Sequence, residues 1–157
     1  MTGFDGEVAA FRRRLEAAGL GRFADPLVRM ARPSVRLVAD AVLPVEALAA
    51  SRLGGAPDLP PAITWPRNDD EPLSFIAQVN LADVAAYDSE GVLPRAGLLS
   101  FFYDAVTQDA WGFDPADHGS AAVIYTSAHV ATEHREPPAD LADDGVFRAL
   151  GLRPVQN

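Results

Sequence analysis

Hydrophobic residues recur along the first part of the chain with a helical period. Val8, Phe11 and Leu15 fall at i, i+3 and i+7 on one helix face, which predicts a helix over 5–18. Gly19 and Gly21 follow, and glycine readily adopts the left-handed conformation that ends a helix. A second helix is expected over 23–31, stopping before Pro33. The pattern then shifts to alternation. Residues 34–42 place Val35, Leu37, Ala39 and Ala41 on one face of a strand. Leu73–Val79 alternates Leu73, Phe75, Ala77 and Val79 against Ser74, Ile76 and Gln78. Asn80 has the chemistry of a helix N-cap, with Asp83 three residues on, and opens a short helix over 81–87. Leu98–Asp104 and Ala122–Ser127 read as two more strands, the first with Leu99, Phe101 and Tyr103 on one face and a Pro94-Arg-Ala-Gly97 turn before it.

Strands and short helices mix without a regular strand–helix–strand rhythm. The expected fold class is therefore α+β: a mixed or antiparallel sheet with short helices and an N-terminal helical pair. The 157 residues suit one domain with a real core. Within it we expect a helical segment over 1–33, a sheet core over 34–130 and an acidic, proline-bearing tail over 131–157. The tail closes on Arg153-Pro-Val-Gln-Asn157 with no capping element.

One connection departs from ordinary loop composition. Residues 51–66, SRLGGAPDLPPAITWP, hold two glycines, four prolines and Trp65, and five of the 13 prolines lie between 57 and 72. A structureless linker would be richer in serine and charge, so this segment reads as an ordered loop packed over the core. Gly54-Gly55 opens a backbone path closed to other residues. Arg52 and Asp58 are near enough to pair or to orient a polar ligand. Gln78, on a strand suited to burial, needs a hydrogen-bond partner. Two readings follow: a rigid lid that seals one end of the sheet, or a concave site in which Arg52, Asp58, Trp65 and Gln78 face a ligand or partner. Tyr103 and Trp111 complete the candidate binding residues, with core or rim packing as their ordinary role.

Charge and composition remove several classes of function. There is no cysteine, hence no disulfide, thiolate nucleophile or cysteine-bound metal. There is no lysine either, since all 13 basic residues are arginine; this removes the Walker A lysine and Schiff-base chemistry. Net charge is −9 and uneven: residues 1–36 carry seven arginines against four acids, and residues 37–157 carry six against 18. The acidic body argues against nucleic acid, while Arg12-Arg13-Arg14 offers either a solvated helix face or a contact for an acidic partner. No apolar run is long enough to span a membrane, and the N-terminus lacks a signal-like stretch, which suggests a cytoplasmic protein.

Chemical motifs are sparse. His129 and His134 are five apart, which matches neither strand alternation nor an i, i+4 metal pair, so no metal or cofactor is expected. Asp114-Pro-Ala-Asp117-His118 reads as a turn rich in helix-capping residues rather than a calcium loop. No nucleophile elbow, zinc-protease motif or dinucleotide fingerprint is present, and Ser127 before His129 has no orienting acid nearby. No catalytic residue can be assigned.

Four segments in order carry a resemblance: Arg52-Leu-Gly-Gly to Trp65-Pro66, then PLSFIAQVNL at 72–81, LPRAGLLSFFY at 93–103, and WGFDP at 111–115. Together they resemble the YwqG-like family, a bacterial domain of unknown function, over about residues 50–128. The resemblance implies an α+β fold built from a duplicated motif and an accessory, immunity-like or regulatory role. It implies no reaction and no cofactor. Family members are usually longer, so a half-length or truncated chain that completes its sheet as a homodimer is a further expectation. The residues thus point first to a binding or protein-interaction module, with an unidentified protein partner or small ligand. The alternative is a small-molecule-binding protein or hydrolase using Asp, Glu or His in a cleft under the 51–66 loop.

Overall fold

The computed structural model describes residues 3–43 and 45–155. Pro44, within the lead into the loop, and Gln156 and Asn157, at the end of the expected tail, lie outside the described residues. The chain separates into two compact units, a helical one up to Ser34 and a sheet unit from Val35 onward.

The helical unit contains α1 (Gly3–Ala17) and α2 (Ala24–Met30), joined through one 3-10 turn at Gly21–Phe23. Asp5 in the first turn and Arg14 in the last turn of α1 complement the helix dipole. Gly19 ends α1 with φ 74°, while Leu20 N–H donates to Leu15 O and Gly19 N–H donates to Glu16 O. This pair of bonds around a left-handed residue is the Schellman arrangement. Arg12 reaches Asp25 at 2.7 Å and links α1 to α2 at the surface. An exposed pair of this kind contributes at most about 1 kcal/mol.

The sheet unit is built on six antiparallel strands. They are β1 (Arg36–Asp40), β2 (Arg52–Leu53), β6 (Ser74–Asn80), β7 (Leu98–Tyr103), β8 (Ala121–Thr126) and β10 (Leu150–Val155), in the order β1-β10-β2-β6-β7-β8. Two short ladders flank it: β3 (Asp58–Leu59) pairs with β9 (Glu133–His134), and β4 (Arg67–Asn68) pairs with β5 (Glu71–Pro72). The fold class is α+β with an antiparallel sheet, as the sequence suggested.

Segment 131–157, expected as a tail, supplies two of these strands. β10 lies between β1 and β2, so the sheet extends well past residue 130. Its proline is compatible with that position. β2 reaches only Leu150 and Gly151, and Leu152 N–H donates to Ser51 O on that side. Pro154, two residues on, points the same way beyond the end of β2, where its missing N–H removes no ladder bond.

A second difference lies in β6. The register shifts between Phe75 and Ala77, leaving Ile76 as the extra residue of a bulge. Phe75 pairs with Phe102 and Gln78 with Ser100, two residues of β7 that share a face. Simple alternation put Phe75 and Gln78 on opposite faces; the bulge brings them to the same one. That face carries a core of Leu59, Trp65, Leu73, Phe75 and Phe102, with Trp65 edge-on to Phe102 at 5.4 Å. The other face is covered in part by α3 (Leu81–Val84), whose Leu81 and Val84 cluster with Val79, Leu37, Leu99 and Phe101. Asn80 caps α3 by accepting from Ala82 N–H, but Asp83 does not return the bond: its carboxylate accepts from Ser51 Oγ.

Two surface carboxylates titrate below their ordinary value of 3.8. Asp140 is lowered first by its hydrogen bond from Arg67, and Asp88 first by the backbone N–H of Leu93. A depressed folded-state value adds stability above the unfolded value, and that stability disappears as pH falls through the folded value. We expect thermal stability to drop on acidification below about pH 4, and Arg67→Ala to lessen the drop by removing Asp140's share. A melting series between pH 6 and pH 2 checks both outcomes.

Candidate functional site

The 51–66 connection is an ordered path. Gly54 and Gly55 have φ of 63° and 75°. Gly54 N–H donates to Ile76 O, and Gly55 N–H donates to Phe147 O. A Cβ on Gly54 would stand 2.5 Å from Arg148 O and 2.9 Å from Phe147 O, so no side chain fits. Pro57, Asp58, Leu59 and Pro60 are buried.

Three of the candidate residues meet inside this path. Arg52 and Gln78 are register partners on β2 and β6, and Ser100 continues the row on β7. Asp58, from β3, inserts against them. Its Oδ2 lies 2.6 Å from Arg52 Nη2, an ion contact outside the angle of a hydrogen bond. The same oxygen accepts from Gln78 Nε2 at 2.8 Å and from Ala49 N–H at 2.7 Å. Gln78 closes the loop, since its Oε1 accepts from Asp58 N–H at 2.8 Å and its Nε2 also donates to Ala50 O. Arg52 Nη1 donates to Val45 O at 2.6 Å. Arg52, Asp58 and Gln78 are all at 1% exposure or less.

A fourth member was not anticipated. His134, the register partner of Asp58, places Nδ1 2.6 Å from Asp58 Oδ1 and Nε2 3.0 Å from Glu46 O. Both ring nitrogens therefore face oxygen acceptors, and the side chain keeps 38% exposure. Nothing in the local sequence ties His134 to Asp58, 76 residues earlier in the chain. The only available signal was physical: a buried aspartate with one arginine still needs partners for its second oxygen.

The other candidates lie apart from this cluster. Trp65 is buried in the core, its Nε1–H donating to Leu73 O. Tyr103 O–H donates to Ala110 O at the base of the loop between β7 and β8. Trp111 stands on that loop at 77% exposure. Asp114 caps a 3-10 turn at Pro115–Asp117 with a reciprocal capping box, the turn expected there. Among the described residues no group of three or more His, Asp or Glu is arranged to hold a metal ion, and no helix is long and apolar enough to cross a membrane.

Chemically the cluster resembles a clamp more than a reaction centre. Asp58 Oδ2 accepts two hydrogen bonds, Oδ1 meets only His134 Nδ1 and outside hydrogen-bond geometry, and His134 Nε2 meets a backbone carbonyl rather than a hydroxyl nucleophile. These features define an α+β protein organised around a buried polar cluster paired largely within itself, in which Arg52 Nε keeps no hydrogen-bond partner. The family model described as a domain of unknown function, DUF1963, matches residues 51–150, and the chain belongs to that family. The matched segment contains all four members of the cluster. No curated protein matches the chain.

Removing one member of a buried ion pair leaves the other charge without compensation, at about 3–5 kcal/mol. Asp58→Asn and Arg52→Met are each expected to destabilise by that order. The double variant should cost clearly less than the two losses combined, as read by urea denaturation of all four proteins. Gly54→Ala, at positive φ against two carbonyls, should cost roughly 2 kcal/mol or more in the same assay.

Proposed function

We propose that this chain is a non-enzymatic interaction module that recognises an arginine-bearing protein segment through the loop between β7 and β8. The observation that carries this reading is the display of Trp111 and Phe113, 77% and 91% exposed, on a fixed backbone. The Asp117 carboxylate accepts from the N–H groups of Trp111, Gly112 and Asp114 at 3.1, 2.6 and 3.4 Å. Tyr103 ties Ala110 to the sheet, and Asp104 N–H donates to Ser120 O where the loop closes. Large aromatics held rigid in water lose little freedom on binding and commonly anchor interfaces.

Charge supports the choice of partner. No arginine lies between Arg95 and Arg135, while Asp104, Asp109, Asp114, Asp117 and Glu133 all do. A guanidinium stacks on an indole face and pairs with nearby carboxylates. In this reading Arg52, Asp58, Gln78 and Trp65 do not touch the partner; they hold the sheet from which the loop projects. The YwqG-like resemblance supports an immunity-like or regulatory setting. The hydrolase alternative rests on the Asp58–His134 contact, in which His134 Nε2 faces Glu46 O rather than a hydroxyl.

Native mass spectrometry of the tagged chain, purified gently from its own host, tests the reading. We expect a stoichiometric protein partner on the wild type. The Trp111→Ala/Phe113→Ala variant should lose it while melting at the same temperature. Retention of the partner by that variant, or a wild-type chain carrying only a small molecule, would contradict the reading.

A further inference from the structure

The six-stranded sheet ends in two outer strands, β1 and β8. We infer that the open edge of β8 pairs with β8 of a second copy of this chain, joining two sheets across a two-fold axis at Val123. The inference goes beyond the proposed function, since it uses the strand and not the Trp111 loop.

The backbone defines this edge. Asp104 N–H donates to Ser120 O, so the bonded pairs of the antiparallel ladder are Asp104/Ser120, Phe102/Ala122, Ser100/Ile124 and Leu98/Thr126. Ala121, Val123 and Tyr125 alternate with them, and their N–H and C=O groups point away from β7. Among the described residues no loop or side chain bonds to these groups.

The two outer strands differ in chemistry. β1 begins at Arg36 and ends at Asp40, with Pro33 before it, and charge and proline are what commonly shield a sheet edge. β8, AAVIYT, carries neither, and it pairs with β7 without a bulge. Val, Ile, Tyr and Thr are strong strand formers. Val123 and Tyr125 are 60% and 49% exposed, and Val123 stands beside Phe101 on the same sheet face.

Three features select a second copy as the occupant. First, the strand complements itself. Antiparallel pairing centred on Val123 sets Val123 against the partner's Val123 and Ala121 against the partner's Tyr125, a small side chain against a large one. Each of the three pairs exchanges two backbone bonds. Second, charge permits this approach. A net charge of −9 opposes most contacts between copies, but residues 119–132 hold no carboxylate. The antiparallel arrangement lays Asp114 and Asp117, before β8, towards the other copy's 127–132 segment, which carries His129 and no acid, and away from their own equivalents. Third, the assembly closes. One axis perpendicular to the sheet consumes both β8 edges and leaves the charged β1 strands outside, which gives a dimer and not a fibre. The same axis joins Phe101 and Val123 of each copy into one apolar strip.

Sedimentation velocity of the full chain over a concentration series tests the inference. We expect a wild-type dimer. Val123→Lys and Val123→Glu each set like charges face to face at the axis, and both should lose the dimer while melting as the wild type does. Mixed in equal amounts, the two variants should recover it as a heterodimer. Trp111→Ala/Phe113→Ala should stay dimeric, which separates this interface from the proposed protein contact. In the wild type, exchange of the Ala121, Val123 and Tyr125 amides should slow as concentration rises, a readout that needs no variant to fold. A wild-type monomer up to the solubility limit would overturn the inference. So would a dimer that survives Val123→Lys, one lost with Trp111 and Phe113, or one in which those three amides still exchange rapidly.

Discussion

The sheet unit depends on the compensation of one carboxylate. Asp58 is fully buried, where an uncompensated charge would cost many kcal/mol, and four parts of the chain contribute to balancing it. Arg52 comes from β2, Gln78 from β6, His134 from β9, and the Ala49 N–H from the connection before β2. A single side chain therefore fixes the approach of the small β3–β9 ladder to the main sheet. It also fixes the connection from 45 to 50, because Arg52 donates to Val45 O and His134 faces Glu46 O. Replacing such a cluster by well-packed apolar residues could leave stability unchanged, so its value lies in specifying one arrangement of these elements.

That constraint separates interior from surface. Arg52, Asp58 and Gln78 have the chemistry of a ligand site, yet they lie at 1% exposure or less and face one another inside the protein. In the proposed reading, recognition falls instead to two exposed aromatics on a loop braced by Asp117. That loop is shaped by the backbone N–H groups that donate to the partly buried Asp117 carboxylate. The positions with the most suggestive chemistry in the sequence thus act by positioning others.

Much of this was legible in the sequence, for identifiable reasons. The termination of α1 at Gly19 and the capping of α3 by Asn80 are local effects, set by residues a few positions apart. The strands at 74–80, 98–103 and 121–126 follow from alternation. The approach of Arg52 to Asp58 could be anticipated because they lie six positions apart in one loop. Three features were not legible. The bulge at Ile76 adds a residue that alternation cannot reveal, and it puts Gln78 on the face of Phe75. β10 carries Gly151 and Pro154 in an acidic, proline-bearing segment, so its place inside the sheet depends on how short β2 is. His134 joins the cluster only through the pairing of β9 with β3, a contact between distant parts of the chain.

Amide hydrogen exchange, resolved residue by residue, tests the central claim that Asp58 clamps the sheet unit. Ala49 lies outside regular secondary structure, so an ordinary loop amide there would exchange through local opening. The account predicts that the Ala49 and Asp58 amides exchange only with global unfolding, at the rate of the slowest amides of β6 and β7. Rapid exchange at Ala49, with the central strands still protected, would contradict it.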